Sequence, residues 1–305
     1  MNSSLTGKEQ KRFSIKNFEG LLFIAPWIIG FLWLQLYPFL TSLYYSFTNF
    51  NLMKEPNFVG LDNYIRLFTV DPDFWSSLKV TAFYAFMVVP GKLLVALAVA
   101  LILNMNLKMT NLYRTLYYLP SILGGSIAIS VLWKILFMRQ GVMNNLLSVF
   151  GVSPIDWLGN PNIALLTIST LSIWQFGSSM VLFLAALKQI PRSLYEAATV
   201  DGASKPRVFF KVTLPMITPI LFFNLIMQMI NAMQEFTSAF VITNGGPMKS
   251  TYVLGIKLYE DAFTHYKMGY ASALSWVIFL LITFMALLVF RSSDAWVYYE
   301  DGGNF

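Results

Sequence analysis

Six apolar runs, each close to or longer than the roughly 20 residues that carry a helix across a bilayer, dominate this chain. They lie at about 20–48, 77–103, 113–138, 162–189, 216–242 and 268–290. They predict an all-α polytopic membrane protein with six transmembrane helices. Composition agrees: 12% of residues are charged, against roughly 25% in soluble domains, so a soluble fold could not cover its surface. The first run is too long for a signal peptide, and no small-residue cleavage site follows it. Cysteine is absent and His265 is the single histidine, which excludes disulfides, thiolate metal sites and histidine clusters.

An even number of spans puts both termini on one side. With the termini inside, all 21 Lys and Arg can be placed: twelve inside, seven outside, and Lys92 and Lys134 within spans. The excess predicts an N-in, C-in orientation by the positive-inside rule. Residues 1–18 then form a cytoplasmic basic tail, and 19–76 the first helix with an external segment. Residues 77–290 form a core of five helices, and 291–305 a cytoplasmic tail. The longer external connections, 49–76, 139–161 and 243–267, carry turn signals such as "DPD" (71–73) and "NGGP" (244–247). No internal repeat is visible.

The inside connection 190–215 is a polar island between two apolar runs, and most of it reads "SLYEAATVDGASKPRVFFKVTLP" (193–215). Ser193 followed by Glu196 has the spacing of a capping box, which would start a short helix through Ala197 and Ala198. Gly202 can end that helix in a left-handed cap, and Ser204 can cap a second one with Pro206 in its first turn. Such a helix–turn–helix could seat its small-residue surface in a partner's groove. An interfacial loop with ordinary caps fits the physics equally well.

Spacing separates the two readings. Glu196-Ala197-Ala198, three residues, Gly202, nine residues, then Val212-x-Leu214-Pro215 resembles the EAA signature of binding-protein-dependent ABC importer permeases. Val212, where isoleucine is usual, is the one departure. "FVGLDNYIRLF" (58–68), "YRTLYYLPSILGGSIAISVLWKILF" (113–137) and "TNGGP" (243–247) are similar to segments of the carbohydrate-uptake, maltose/glycerol-phosphate permease-like branch. The resemblance implies a type I importer permease fold in a bacterial plasma (inner) membrane. It implies that Glu196, Ala197, Ala198, Asp201, Gly202, Leu214 and Pro215 couple to the ATPase. It also implies a second permease chain, expected to be a different one, two ABC ATPase subunits, an extracytoplasmic solute-binding protein and a sugar substrate. ATP and Mg would sit on the ATPases and no cofactor on this chain; nucleic acid is not an expected partner, membrane lipid is.

The chain's own residues fit a transport subunit rather than an enzyme. It has no G-x-x-x-x-G-K-[ST] phosphate cradle, and "PGK" (90–92) does not match one. No catalytic pair and no metal-ligand spacing occurs in the spans. Polar side chains in spans are costly and need a reason. In the fifth span Gln228, Asn231 and Glu235 recur at i, i+3 and i+7, with Gln234 beside them; in the fourth, Trp174 precedes Gln175, Ser178 and Ser179. Amides, a carboxylate and an indole suit a sugar, although serines, Asn and Gln also serve as interhelical glue. The resemblance places sugar contacts in this part of the fifth span, favouring Glu235 and Gln234. Lys92 lies about 22 Å into its span at 1.5 Å per residue, Glu235 only about 10 Å from the outer end of its own, so a direct pair is not expected. Pro90-Gly91 would kink the helix beside Lys92, which could face a water-filled cavity. Lys134 is expected to snorkel, and His265 to be an ordinary loop residue. A rival class is an ion-gradient-driven carrier using Glu235 and Lys92.

Overall fold

A computed structural model describes residues 16–105 and 109–298 and shows a helical bundle. Most of the proposed basic tail, Lys108 in the 104–112 connection and residues 299–305 lie outside the described residues. The first span is α1 (Lys16–Phe31), a π-helical turn (Leu32–Leu36) and α2 (Tyr37–Ser46). A connection with two isolated bridges, Thr48 to Phe58 and Asn51 to Lys54, leads to α3 (Asp62–Thr69). The second span is α4 (Pro72–Asn104), at 33 residues about 50 Å long, so it extends well beyond the hydrocarbon layer. The Asp71 carboxylate caps its start by accepting from the Asp73 N–H, and Pro90 sits inside it without ending it.

The third, fourth and fifth runs are not the straight spans that hydropathy predicts. The third is α5 (Thr110–Ile122) followed by α6 (Ile127–Phe137) and α7 (Val142–Val149), bent by 99°. Gly125, at φ +74°, takes the left-handed turn that a side chain would resist. The fourth is α8 (Ala164–Trp174) and α9 (Gly177–Gln189), bent by 44°. After α10 (Arg192–Val200) and α11 (Lys205–Val208), a second π-helical turn (Phe209–Thr213) runs into α12 (Leu214–Met233). The fifth run breaks at 234–236 and resumes as α13 (Thr237–Thr243). Then come α14 (Leu254–Tyr259), a third π-helical turn (Glu260–Thr264) and α15 (Met268–Ser293). Four continuous helices and two bent pairs make six candidate spans among the described residues.

Helix α4 is the axis, packed against α8, α9 and α12. Ala96 and Ala100 are fully buried on it, and these small residues let neighbouring backbones approach. Around them pack Tyr84, Ile168, Met180, Phe183 and Ile217, while Phe23, Phe86 and Leu94 are exposed to the surroundings. Helix α2 lies on α15, where Trp276 donates its indole N–H to Ser42 and packs on Phe39. Gly269 makes that crossing possible, because a Cβ there would strike the carbonyls of Tyr45 and Thr48. Tyr298 donates its N–H to Thr218, placing Tyr298 beside the island's end of the bundle. Asp73 pairs with Lys249 at the opposite end.

Candidate functional site

The three breaks meet. Between α4, α5, α8, α9 and α12 lies a cavity of about 350 Å³. Its wall includes Tyr84, Lys92, Ser121, Gly124, Gly125 and Ser172, with Gln175, Ser178, Gln228, Asn231 and Glu235. Broken helices are tolerated at membrane depth where they line such a cavity, because side chains and water then satisfy the freed backbone groups. Gly124 is held against the Gln175 side chain, so the breaks of the third and fourth spans touch. Two larger cavities, about 610 and 740 Å³, are walled mainly by residues such as Ile278, Phe279, Phe284 and Leu288. They are mainly apolar grooves along α15, the larger with Arg291, Ser293 and Asp294 at its rim.

Glu235 joins two jobs. One carboxylate oxygen accepts from the Ser238 hydroxyl and N–H (2.9 Å) and, at 3.4 Å, from the Ala239 N–H, so it caps α13. The other accepts from the Tyr84 hydroxyl at 3.0 Å, and Tyr84 is also bonded to Ser172 at 2.6 Å. This cap explains why the fifth run breaks although it contains no glycine or proline there: a carboxylate supplies what the first N–H groups of α13 lack. Gly255 on α14 packs directly on the Glu235 backbone, where a Cβ would collide.

Of the residues singled out in the spans, Gln228, Asn231, Glu235, Gln175 and Ser178 come together at the cavity. Gln228 also donates to the buried Ser179 at 3.2 Å, an interhelical tie. Gln234 lines a neighbouring pocket of about 130 Å³ with Asn231 and Ser238, and reaches the groove along α15. Trp174 is not in the wall; it lies against Trp133 with ring centroids 5.8 Å apart. Lys92 faces the cavity, and among the described residues no ion pair reaches it. The Lys134 ammonium reaches the Val241 carbonyl at 3.5 Å, in the last turn of α13, where carbonyls lack intrahelical partners. Tyr84 and Ser172 were missed, because a tyrosine and a serine inside an apolar run carry no signal of their own.

The island forms the expected pair of short helices, with one correction. Helix α10 starts at Arg192 behind Pro191, and no side chain caps it, so Ser193 and Glu196 do not form the predicted box. Pro191, at φ −58°, sets the start of the helix through its ring. Ser204 stands at the N-cap of α11, likewise without a side-chain bond. Gly202, at φ +69°, ends α10: its N–H reaches Thr199 O and the Ala203 N–H reaches Ala198 O, the paired bonds of a Schellman cap. Glu196, Ala197, Asp201 and Gly202 are exposed, Ala198, Leu214 and Pro215 half-buried, and Val200 is 88% exposed on the same short helix. The Tyr195 hydroxyl meets Thr213 at 3.2 Å, tying the island to the root of α12.

The opposite end holds a charge cluster that sequence reading did not anticipate. Lys257, 4% exposed, pairs with Asp71 at 2.6 Å and Asp261 at 2.9 Å. Tyr270 donates to Asp71, and the Arg66 guanidinium and Lys257 ammonium both lie over its ring. His265 lies in the loop after the third π-helical turn, half-exposed, as expected, with its Nδ1 3.4 Å from Asp261. Burial pushes Asp71 up, but the bonds from Lys257 and Tyr270 outweigh it and hold the carboxyl below its usual range. Burial likewise opposes the charge on Lys257, and the two aspartates hold its pKa above the ordinary value.

The family described as "Binding-protein-dependent transport system inner membrane component" matches residues 83–299. The chain is 47% identical to the probable ABC transporter permease protein YesP of Bacillus subtilis, over 96% of each chain. It is 36% identical to the lactose transport system permease protein LacF of Rhizobium radiobacter, over 92% of this chain and 97% of that one. It is 35% identical to the sulfoquinovosyl glycerol transport system permease protein SmoG of Agrobacterium fabrum, over 90% and 91%. A crystal structure of a bacterial ABC transporter involved in the import of the acidic polysaccharide alginate has a chain of the same fold. Its TM-score is 0.78 at 23% identity, over 92% of this chain and 97% of that one.

Proposed function

The chain belongs to the family of binding-protein-dependent transport system inner membrane components, and from that premise we propose that it carries a sugar or oligosaccharide inward by alternating access. It is a multi-pass membrane protein and a permease subunit of an ABC importer. The sugar reading is supported by the relatives whose names state lactose and sulfoquinovosyl glycerol, and by a cavity rich in amide and hydroxyl groups. The observation that carries the mechanism is the meeting of three helix breaks on one polar cavity, with an exposed, capped helix α10 at one end of the same bundle.

In this reading the 190–215 end is cytoplasmic, with both termini. Ala197, Ala198 and Val200 seat in a groove of an ATPase subunit, and Glu196 and Asp201 fix their orientation. Two ATPases hold the ATP and Mg, this chain none, and a second, different permease completes the pathway. The 49–76 and 243–267 segments receive the solute-binding protein. Closure of the ATPases moves α10, and the Tyr195–Thr213 bond passes that movement to α12 and thus to Gln228, Asn231 and Glu235. The ion-gradient carrier receives no support: Glu235 and Lys92 form no pair, and the family gives such a mechanism no role.

The test is a pull-down from detergent-solubilised membranes, comparing wild type with Glu196→Lys/Gly202→Pro by mass spectrometry. Wild type should bring down a P-loop ATPase and a second permease, and the double variant should lose the ATPase while keeping the permease. An ATPase retained at wild-type level by the double variant would remove α10 from the coupling role.

A further inference from the structure

Each charge facing the central cavity can be followed to its partners. Glu235 has both oxygens engaged, one by the Ser238 hydroxyl and the N–H groups of Ser238 and Ala239, the other by Tyr84. Its negative charge is thus held toward α13 and Tyr84. Lys92 has no carboxylate within ion-pair distance among the described residues, and no hydrogen bond ties it down; the Glu235 charge reaches it only across the cavity. Beside it stand Ser178, Gln175, Gln228 and Asn231, all able to donate. Among the described residues the cavity therefore offers one cation without an ion-pair partner, a set of neutral donors, and one carboxylate already committed.

An ammonium inside a membrane bundle without a directly paired counter-charge is costly, and such groups mark the path of a substrate or ion. A neutral sugar would leave that cost in place. A sugar bearing an anionic oxygen group would remove it and gain a charge-assisted bond. We propose that Lys92 is a specificity-determining residue that selects a negatively charged saccharide, its ammonium receiving the substrate's carboxylate or equivalent anionic group while the amides take the hydroxyls. This deepens the sugar-importer reading and rests on it.

The test uses the whole importer in proteoliposomes: this chain, its partner permease, the ATPases and the binding protein. The probes are matched neutral and acidic di- and trisaccharides, galactose- and galacturonate-based pairs among them, given to wild type, Lys92→Met and Lys92→Arg. Co-purification of all subunits checks that each variant is assembled. The same binding protein delivers every probe to every variant, so its own preference cancels when the acid-to-neutral uptake ratio is compared between variants. Lys92→Met should lower the ratio by about tenfold or more, and Lys92→Arg should keep it within about threefold. A ratio unchanged in Lys92→Met overturns the role of Lys92 and leaves the sugar reading standing. If Lys92→Met slows both members equally, the lysine serves a partner-chain contact instead, and the proposal fails. Uptake of no probe at all sinks the sugar reading, and this inference with it.

Discussion

Lys257 and Lys92 are both withdrawn from solvent into the same bundle, yet the fold treats them in opposite ways. Lys257 is wedged between Asp71 and Asp261, with Tyr270 bonded to one of them, where α3, α4, α14 and α15 converge. Lys92 projects into a cavity with no carboxylate at ion-pair distance among the described residues, while Glu235, in the same wall, is tied up by Tyr84 and Ser238. The first arrangement fixes helix ends in one geometry. The second leaves an interaction open for something that comes and goes. Charge satisfaction, more than burial, separates scaffold from site here.

The contrast breaks most visibly at the scaffold. Lys257→Met would leave the buried Asp261 and the half-buried Asp71 without their cation, and losing one partner of a buried pair typically costs about 3–5 kcal/mol. A large fall in the thermal midpoint of the purified complex is the expected result. Lys257→Met/Asp71→Asn/Asp261→Asn, which removes the charges together, should recover most of it, because the penalty lies in the unpaired carboxylates. A single variant as stable as wild type would show that the cluster is not what holds this end.

Much of the scaffold was legible in the sequence, and little of this contrast was. The apolar runs gave six spans because hydropathy integrates over about 20 residues, and the island stood out because Glu196, Asp201, Lys205 and Arg207 interrupt them. The same averaging hides a break of two or three residues. That at 234–236 depends on the Glu235 carboxylate capping α13, and that at Gly124–Gly125 packs on Gln175 from another span. These are tertiary contacts with no periodic trace. The Asp71–Lys257 pair joins residues far apart in sequence, and Lys257 therefore read as one more external basic residue. Cavity residues on α12 were readable from their spacing, while Tyr84 and Ser172 became visible only once α4 and α8 lay side by side.

A gentler perturbation of the scaffold is pH. The folded pKa of Asp71 is lowered, so its contribution is present above the unfolded value of about 3.9 and is lost as pH falls through the folded one. The folded pKa of Lys257 is raised, so its contribution is present below about 10.4 and is lost as pH rises through the folded value. Stability of this end should be level between about pH 5 and 10 and decline on both sides. Subtracting the profile of Lys257→Met/Asp71→Asn/Asp261→Asn from wild type isolates the effect. A difference that does not change with pH would mean the cluster contributes through packing alone.

The smallest change probes the boundary between the two regimes. Tyr84→Phe keeps the buried ring and removes one hydroxyl, leaving Ser172 and the second Glu235 oxygen without that partner. The stability cost should be about 1.5–3 kcal/mol, because one of the lost bonds is to a carboxylate. Its consequence at the cavity should be larger than its energy suggests. Glu235 would regain a free oxygen facing the same space as Lys92, and a carboxylate there competes with an anionic substrate for the ammonium and repels it. The acid-to-neutral uptake ratio should fall a few-fold while the complex stays assembled. An unchanged ratio would mean that the α13 cap alone keeps Glu235 from Lys92, and that Tyr84 serves packing rather than the separation of the two charges.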